Sequence, residues 1–144
     1  MSDIGFTHVA LPVSNMDSSI AFHVTYTRLQ VVHRRTDPAT GAEVAWLSDR
    51  LRPFVLVLIS GQTVDTPLLP LAHLGVGCES REEVDRLCAQ AQREGRLHSE
   101  PIDSGYPVGY WAFLTDPDGH TLEVSFGQEI ALKVEQPEES SMTY

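Results

Sequence analysis

Residues 4–13, "IGFTHVALPV", alternate in polarity: Val9, Leu11 and Val13 fall on one parity and Phe6, His8, Ala10 and Pro12 on the other, as in a strand with one apolar face. The next stretch, "SNMDSSIAFHVTYTRL" (14–29), predicts a helix, with Ser14 as N-cap, Asp17 in the first turn, and Met16, Ile20, His23 and Val24 at helical spacing. Three strand-like runs follow, "QVVHRRT", "AEVAWLS" and "FVLVLIS", the last apolar on both parities as in a strand covered on both faces. "GQTVDTPLLPL" (61–71) breaks the periodicity with two prolines and a glycine and is the linker.

The pattern then restarts. "AHLGVGCE" reads as a strand, and "SREEVDRLCAQAQREG" as a helix with Ser80 and Glu83 as a capping box. Val84, Leu87, Cys88 and Ala91 form its apolar face, and Gly95 is its stop. "RLHSEPID", "GYWAFLT" and "HTLEVSF" supply three strands, the last two joined by the turn "DPDG". The order strand, helix, three strands occurs twice, and a shift of about 65 residues places His8 on His73 and Leu58 on Glu123. A four-stranded sheet covered by one helix leaves its other face open. The predicted class is therefore α+β, two tandem βαβββ modules that pair, within one chain or across a dimer, around a concave cavity. Residues 1–128 are one domain, with module one at about 4–60, the linker at 61–71 and module two at about 72–127; residues 129–144 are an acidic tail whose end is expected to be disordered.

Composition narrows the function. The formal net charge is -10, with a single lysine, Lys133, and nine arginines scattered without a basic stripe, so no nucleic-acid partner is expected. No signal-like or membrane-spanning run is present, which predicts a cytoplasmic protein. Cys78 and Cys88 lack metal spacing and are expected to be buried free thiols.

The chemistry-bearing candidates come from the repeat. In a paired-module arrangement His8, His73 and Glu123 turn towards one cavity, and two imidazoles with one carboxylate suit a divalent transition metal while leaving coordination positions open. Singly, a strand histidine is more often a hydrogen-bonded core residue and a strand glutamate more often faces water; the constellation alone favours the metal. His120 differs from Glu123 by an odd number of positions, so it is expected to face away from the site, near the surface. "GVG" at 75–77 lacks the spacing of a phosphate loop and reads instead as room for a neighbour beside His73.

These residues resemble the vicinal oxygen chelate superfamily of glyoxalases, extradiol dioxygenases, epimerases, fosfomycin-resistance thiol transferases and bleomycin-binding proteins. The resemblance spans residues 5–127 and is carried by "THVALPV", "VVHRR", "AHLGVG" and above all "WAFLTDPDGHTLEV". It implies the paired βαβββ fold, a homodimer, and one divalent metal (Fe, Mn, Ni, Co or Zn) on His8, His73 and Glu123. It also implies a small-molecule substrate bound through vicinal oxygens. By the same analogy Phe113 faces the cavity, and parity brings Trp111 and Thr115 with it; Leu58, as the counterpart of Glu123, completes the pocket candidates.

Three departures refine the picture. A glyoxalase I type fourth carboxylate is replaced by Val57 or Leu58, depending on the offset. The tyrosine of extradiol and fosfomycin enzymes is matched by Phe113, and the threonine two residues after the first ligand by Ala10. The resemblance implies an enzyme of oxygenative cleavage or of lyase or isomerase chemistry. The alternative is a sequestering protein of the bleomycin-resistance type, without turnover.

Overall fold

The computed structural model describes residues 2–138. In chain order the elements are β1 (His8–Pro12), α1 (Met16–Tyr26), β2 (Gln30–Thr36), β3 (Glu43–Ser48) and β4 (Val55–Ile59), then β5 (Leu74–Gly77), α2 (Arg81–Arg93), β6 (Leu97–Asp103), β7 (Tyr110–Thr115), β8 (Thr121–Phe126) and a short α3 (Ile130–Glu135). They form two four-stranded mixed sheets of matching topology, β1-β4-β3-β2 and β5-β8-β7-β6. This is the expected pair of βαβββ modules. In each sheet the first and last strands of the module run parallel and the other pairs are antiparallel. The chain divides into two compact units, one comprising the residues up to Leu71 with Asp116–His120, the other Ala72–Thr115 with the chain from Thr121.

In the first unit α1 is capped by Asn15, whose side chain accepts the Ser18 N–H at 2.9 Å. Ser14, the expected cap, gives both its N–H and its hydroxyl to Asp118 instead. The buried stripe of α1 is Met16, Ser19, Phe22, His23 and Tyr26, rotated from the expected one: Val24 is left exposed and Ile20 only partly covered. A stripe containing serine and histidine is poorly distinguished by polarity, which is why the periodicity misplaces it. Leu11, Leu47, Leu56 and Leu58, each at most 4% exposed, complete this core. Removing each such side chain from water contributes about 2 kcal/mol.

The second unit follows its sequence more closely. Ser80 caps α2 by accepting the Glu83 N–H at 3.1 Å, while the Glu83 carboxylate pairs with Arg86 rather than closing the capping box. Val84, Leu87, Cys88 and Ala91 are buried. They belong to the same core as Ala112, Leu114, Leu122 and Val124, all at most 2% exposed. Cys88 is buried as expected, but Cys78 is only partly so; neither is in a disulfide. The expected tail begins with α3, none of whose side chains is buried. Its expected disordered end, residues 139–144, lies outside the described residues.

Candidate functional site

Parity and register fix which side chains share a face. In the second sheet Gly75 lies across from Glu123, and Glu123 across from Phe113, so the three form one row over β5, β8 and β7. Leu122, Val124, Ala112 and Leu114 have the other parity and are in the core, leaving Glu123 and Phe113 on the opposite face. Trp111 and Thr115 flank Phe113 on its own face, paired with Ser125 and Thr121. His73 stands just before β5 with the parity of Gly75, and its ring centroid is 5.1 Å from that of Phe113. His73 and Glu123 therefore border the same phenylalanine.

Gly75 makes this arrangement possible. A Cβ there would lie 3.3 Å from Glu123 Oε2, so the carboxylate occupies space that any larger residue would contest. The same oxygen accepts the Gln128 amide at 3.1 Å. Glu123 is only 8% exposed, so the Gln128 amide is hydrogen-bonded to a buried carboxylate. Gln128 is a site residue that the sequence reading passed over. Its signal was its place five residues after Glu123, directly past a glycine with φ +81.

The first sheet gives the corresponding row Ala10, Val57, Trp46 and His33 across β1, β4, β3 and β2. Val57, not Leu58, is thus the counterpart of Glu123. The repeat offset of 65 residues at the first strand becomes 66 at the last, because the second module is one residue longer between them. Leu58 pairs with Leu11 and Ala45 in the core and is 0% exposed, so it lines no open face. His8 shares the parity of Ala10, is exposed, and has its Nδ1 2.9 Å from Thr7 Oγ1. His8 belongs to the first unit, and His73 and Glu123 to the second. Among the described residues no three His, Cys, Asp or Glu side chains are grouped so as to hold a metal ion.

The turn after β7 carries a second polar cluster, in the first unit. Asp116 Oδ1 accepts the N–H groups of Asp118 and His120, each at 2.8 Å, which closes the turn. His120 Nδ1 accepts the Leu68 N–H at 2.9 Å, so the ring proton is on Nε2 and is donated to the Pro12 carbonyl, also at 2.9 Å. His120 is 3% exposed, which corrects the expectation of a surface position. It is packed between the end of β1 and the linker instead of in water. Asp116 Oδ2 and both ring nitrogens of His23 are buried with no hydrogen-bond partner among the described residues. Burial, and then the nearby His120, lowers the His23 pKa to about 4, and burial raises that of Asp116.

The cysteines stand apart from this chemistry. Burial raises both thiols, Cys88 to about 11, so neither is primed as a nucleophile at neutral pH. Among the described residues no helix is long and apolar enough to cross a membrane.

The family model described as the Glyoxalase/Bleomycin resistance protein/Dioxygenase superfamily matches residues 5–124. "Uncharacterized protein PA2024" of Pseudomonas aeruginosa is 36% identical over 127 residues, covering 86% of this chain and 89% of that protein. Among solved structures, the fosfomycin resistance protein FosX of Listeria monocytogenes, complexed with Mn(II) and 1S,2S-dihydroxypropylphosphonic acid, superposes with a TM-score of 0.71. It is 15% identical, with 92% of this chain and 99% of that one covered. The trypanothione-dependent glyoxalase I of Leishmania major gives 0.68 at 24% identity, covering 92% and 94%. The two βαβββ modules are the fold of these solved structures, and the family match over most of its length establishes that this chain belongs to the glyoxalase, bleomycin resistance protein and dioxygenase superfamily.

Proposed function

We propose that this chain is a divalent-metal enzyme acting on a small molecule with two neighbouring oxygens, with His8, His73 and Glu123 as its protein ligands. The observation that carries the reading is the Gly75–Glu123–Phe113 row. There a buried carboxylate has one oxygen held by Gln128, and His73 borders the same aromatic ring. The donor types suit a divalent metal: an imidazole and a carboxylate stand on the second unit and a further imidazole on the first. In the tautomer that donates Nδ1–H to Thr7 Oγ1, 2.9 Å away, His8 would keep Nε2 for the metal, the usual way in which a second hydrogen bond orients a metal-bound histidine. When bound, such a metal polarises the substrate oxygens and stabilises the anion that develops on them. Phe113 and Val57 supply neither a phenol nor a second carboxylate on the open faces of their sheets, so the proposed protein ligands number three and the remaining positions are left to substrate.

The reaction is oxygenative cleavage or lyase and isomerase chemistry, and dioxygen uptake by the iron-loaded protein separates the two. We further propose that the working form is a homodimer. Ile4, Phe6 and Leu71 are 93%, 95% and 104% exposed, more apolar surface than an isolated chain gains by presenting to water.

The direct test is metal analysis of the protein purified without added metal, beside Glu123→Ala. Near-stoichiometric metal in the wild type and its loss in the variant are expected. A wild type that takes up none of iron, manganese, nickel, cobalt or zinc would leave the sequestering alternative in its place. Gln128 gives a finer expectation. Gln128→Leu removes the amide that orients Glu123 but no ligand, so manganese affinity by calorimetric titration should fall about tenfold, as for other residues that hold a metal ligand in place. Unchanged affinity would mean that Glu123 does not depend on this hydrogen bond.

A further inference from the structure

The open face of the first sheet carries one aromatic residue out of keeping with its strand. Trp46 is 38% exposed, whereas its neighbours Ala45 and Leu47 are 0% exposed. Beside it on the same face the His33 ring lies 4.9 Å away by centroid, and the Arg35 guanidinium carbon is 5.8 Å from the indole centroid.

Arg35 is the informative member. Its neighbour Arg34 has the opposite parity and pairs with Asp17 at 3.0 Å and Glu43 at 2.9 Å. Arg35 has no ion pair among the described residues, in a chain with twice as many acidic as basic side chains. Its guanidinium lies over the indole of Trp46, a contact that leaves the in-plane N–H groups of the fork open to an anion, on the same face as His8. Trp46 lies two strands from β1, roughly 10 Å at the usual strand spacing.

We propose that Arg35 and Trp46 form a clamp for a planar organic anion: its carboxylate takes the in-plane fork of the guanidinium, and its ring lies beside that guanidinium on the exposed part of the indole. Stacking supplies area with a defined geometry, and the bidentate charge-assisted pair supplies selectivity for a flat anion over a neutral isostere. His33, its ring tilted against the indole at 4.9 Å, limits how Trp46 can turn. On the reading above this clamp makes the substrate an aromatic or conjugated carboxylate. The inference rests on that reading only for its link to the metal ligands, since binding at Arg35 and Trp46 requires no metal.

The test uses the whole protein stripped of metal with a chelator, with benzoate and benzamide as probes and affinity measured by titration calorimetry. Benzoate is expected to bind at least tenfold more tightly than benzamide. Arg35→Gln should bring benzoate down to the benzamide level, and Arg35→Lys should recover only part of the loss because it keeps the charge but not the fork. Trp46→Ala should weaken both probes. Arg34→Gln removes the same charge from an arginine that is already paired and should leave the ratio unchanged. Equal binding of the two probes, no benzoate binding at millimolar concentration, or equal losses in Arg34→Gln and Arg35→Gln would each overturn the clamp. Because metal is absent throughout, these outcomes are independent of whether His8, His73 and Glu123 hold one.

Discussion

Acidification from pH 6.5 to about 4 is expected to cost the folded chain about 3 kcal/mol through His23 alone. The ring is 2% exposed, and its two nitrogens have no hydrogen-bond partner among the described residues. A charge there is opposed first by desolvation and then by His120, which is why the pKa falls from 6.5 to about 4. The sign follows from proton counting. Between the two values the unfolded chain binds a proton that the folded chain excludes, so the stability is fully present above pH 6.5 and is lost as pH falls towards 4. The difference of about 2.5 pH units converts at 1.36 kcal/mol each. Asp116 acts in the opposite direction, since burial raises its pKa and the folded state gains from its protonation as pH falls towards the ordinary aspartate value of 3.8. His23→Leu keeps the bulk, removes the titration and discards two unsatisfied polar atoms. Urea denaturation at pH 7 and pH 4.5 should show the wild type losing over 2 kcal/mol more than the variant between the two conditions. Equal losses would mean that the ring is hydrated in the folded state, and the low pKa would be wrong.

His23 also shows where sequence reading reaches its limit. The two-module topology was legible because the strand parities and the α2 stripe of Val84, Leu87, Cys88 and Ala91 are strongly patterned, and burial follows pattern wherever the residues differ sharply in polarity. The α1 stripe was not legible, since Ser19 and His23 are buried there against their polarity. Likewise, the rule of alternation carries no information about what the end of a turn packs against, and His120 is buried there. Offsets are subtler still. A single extra residue in the second module moved the counterpart of Glu123 from Leu58 to Val57, and a one-residue slip in a strand exchanges a core position for an open-face one. Gln128 lies beyond the end of β8, where no periodicity applies, and only the hydrogen bond identifies it.

Gly109→Ala is expected to be among the most damaging single changes in the second unit, at about 3–5 kcal/mol, and to weaken the proposed metal site with it. Gly109 has φ +85, and a Cβ there would lie 2.5 Å from the Phe126 carbonyl oxygen and 2.7 Å from the Gly127 carbonyl carbon. The positive φ alone costs an alanine about 1 kcal/mol. The rest is overlap with backbone, which no change of rotamer can relieve. Gly105 separates the two contributions: its φ is +71, but nothing lies within 4 Å of its hypothetical Cβ, so Gly105→Ala should cost only the conformational part. Denaturant unfolding of the two variants side by side reads the difference as the steric contribution. The consequence for function follows from the neighbour. Gly127 directly precedes Gln128, whose amide holds Glu123 Oε2, so a backbone forced away from position 109 carries that amide away from the carboxylate. Folded Gly109→Ala, at low temperature, should therefore bind manganese about as weakly as Gln128→Leu, while Gly105→Ala binds like wild type. A Gly109→Ala protein as stable as the Gly105→Ala control would show that the β7 and β8 ends part without cost, and the close approach would then have no role in placing Gln128.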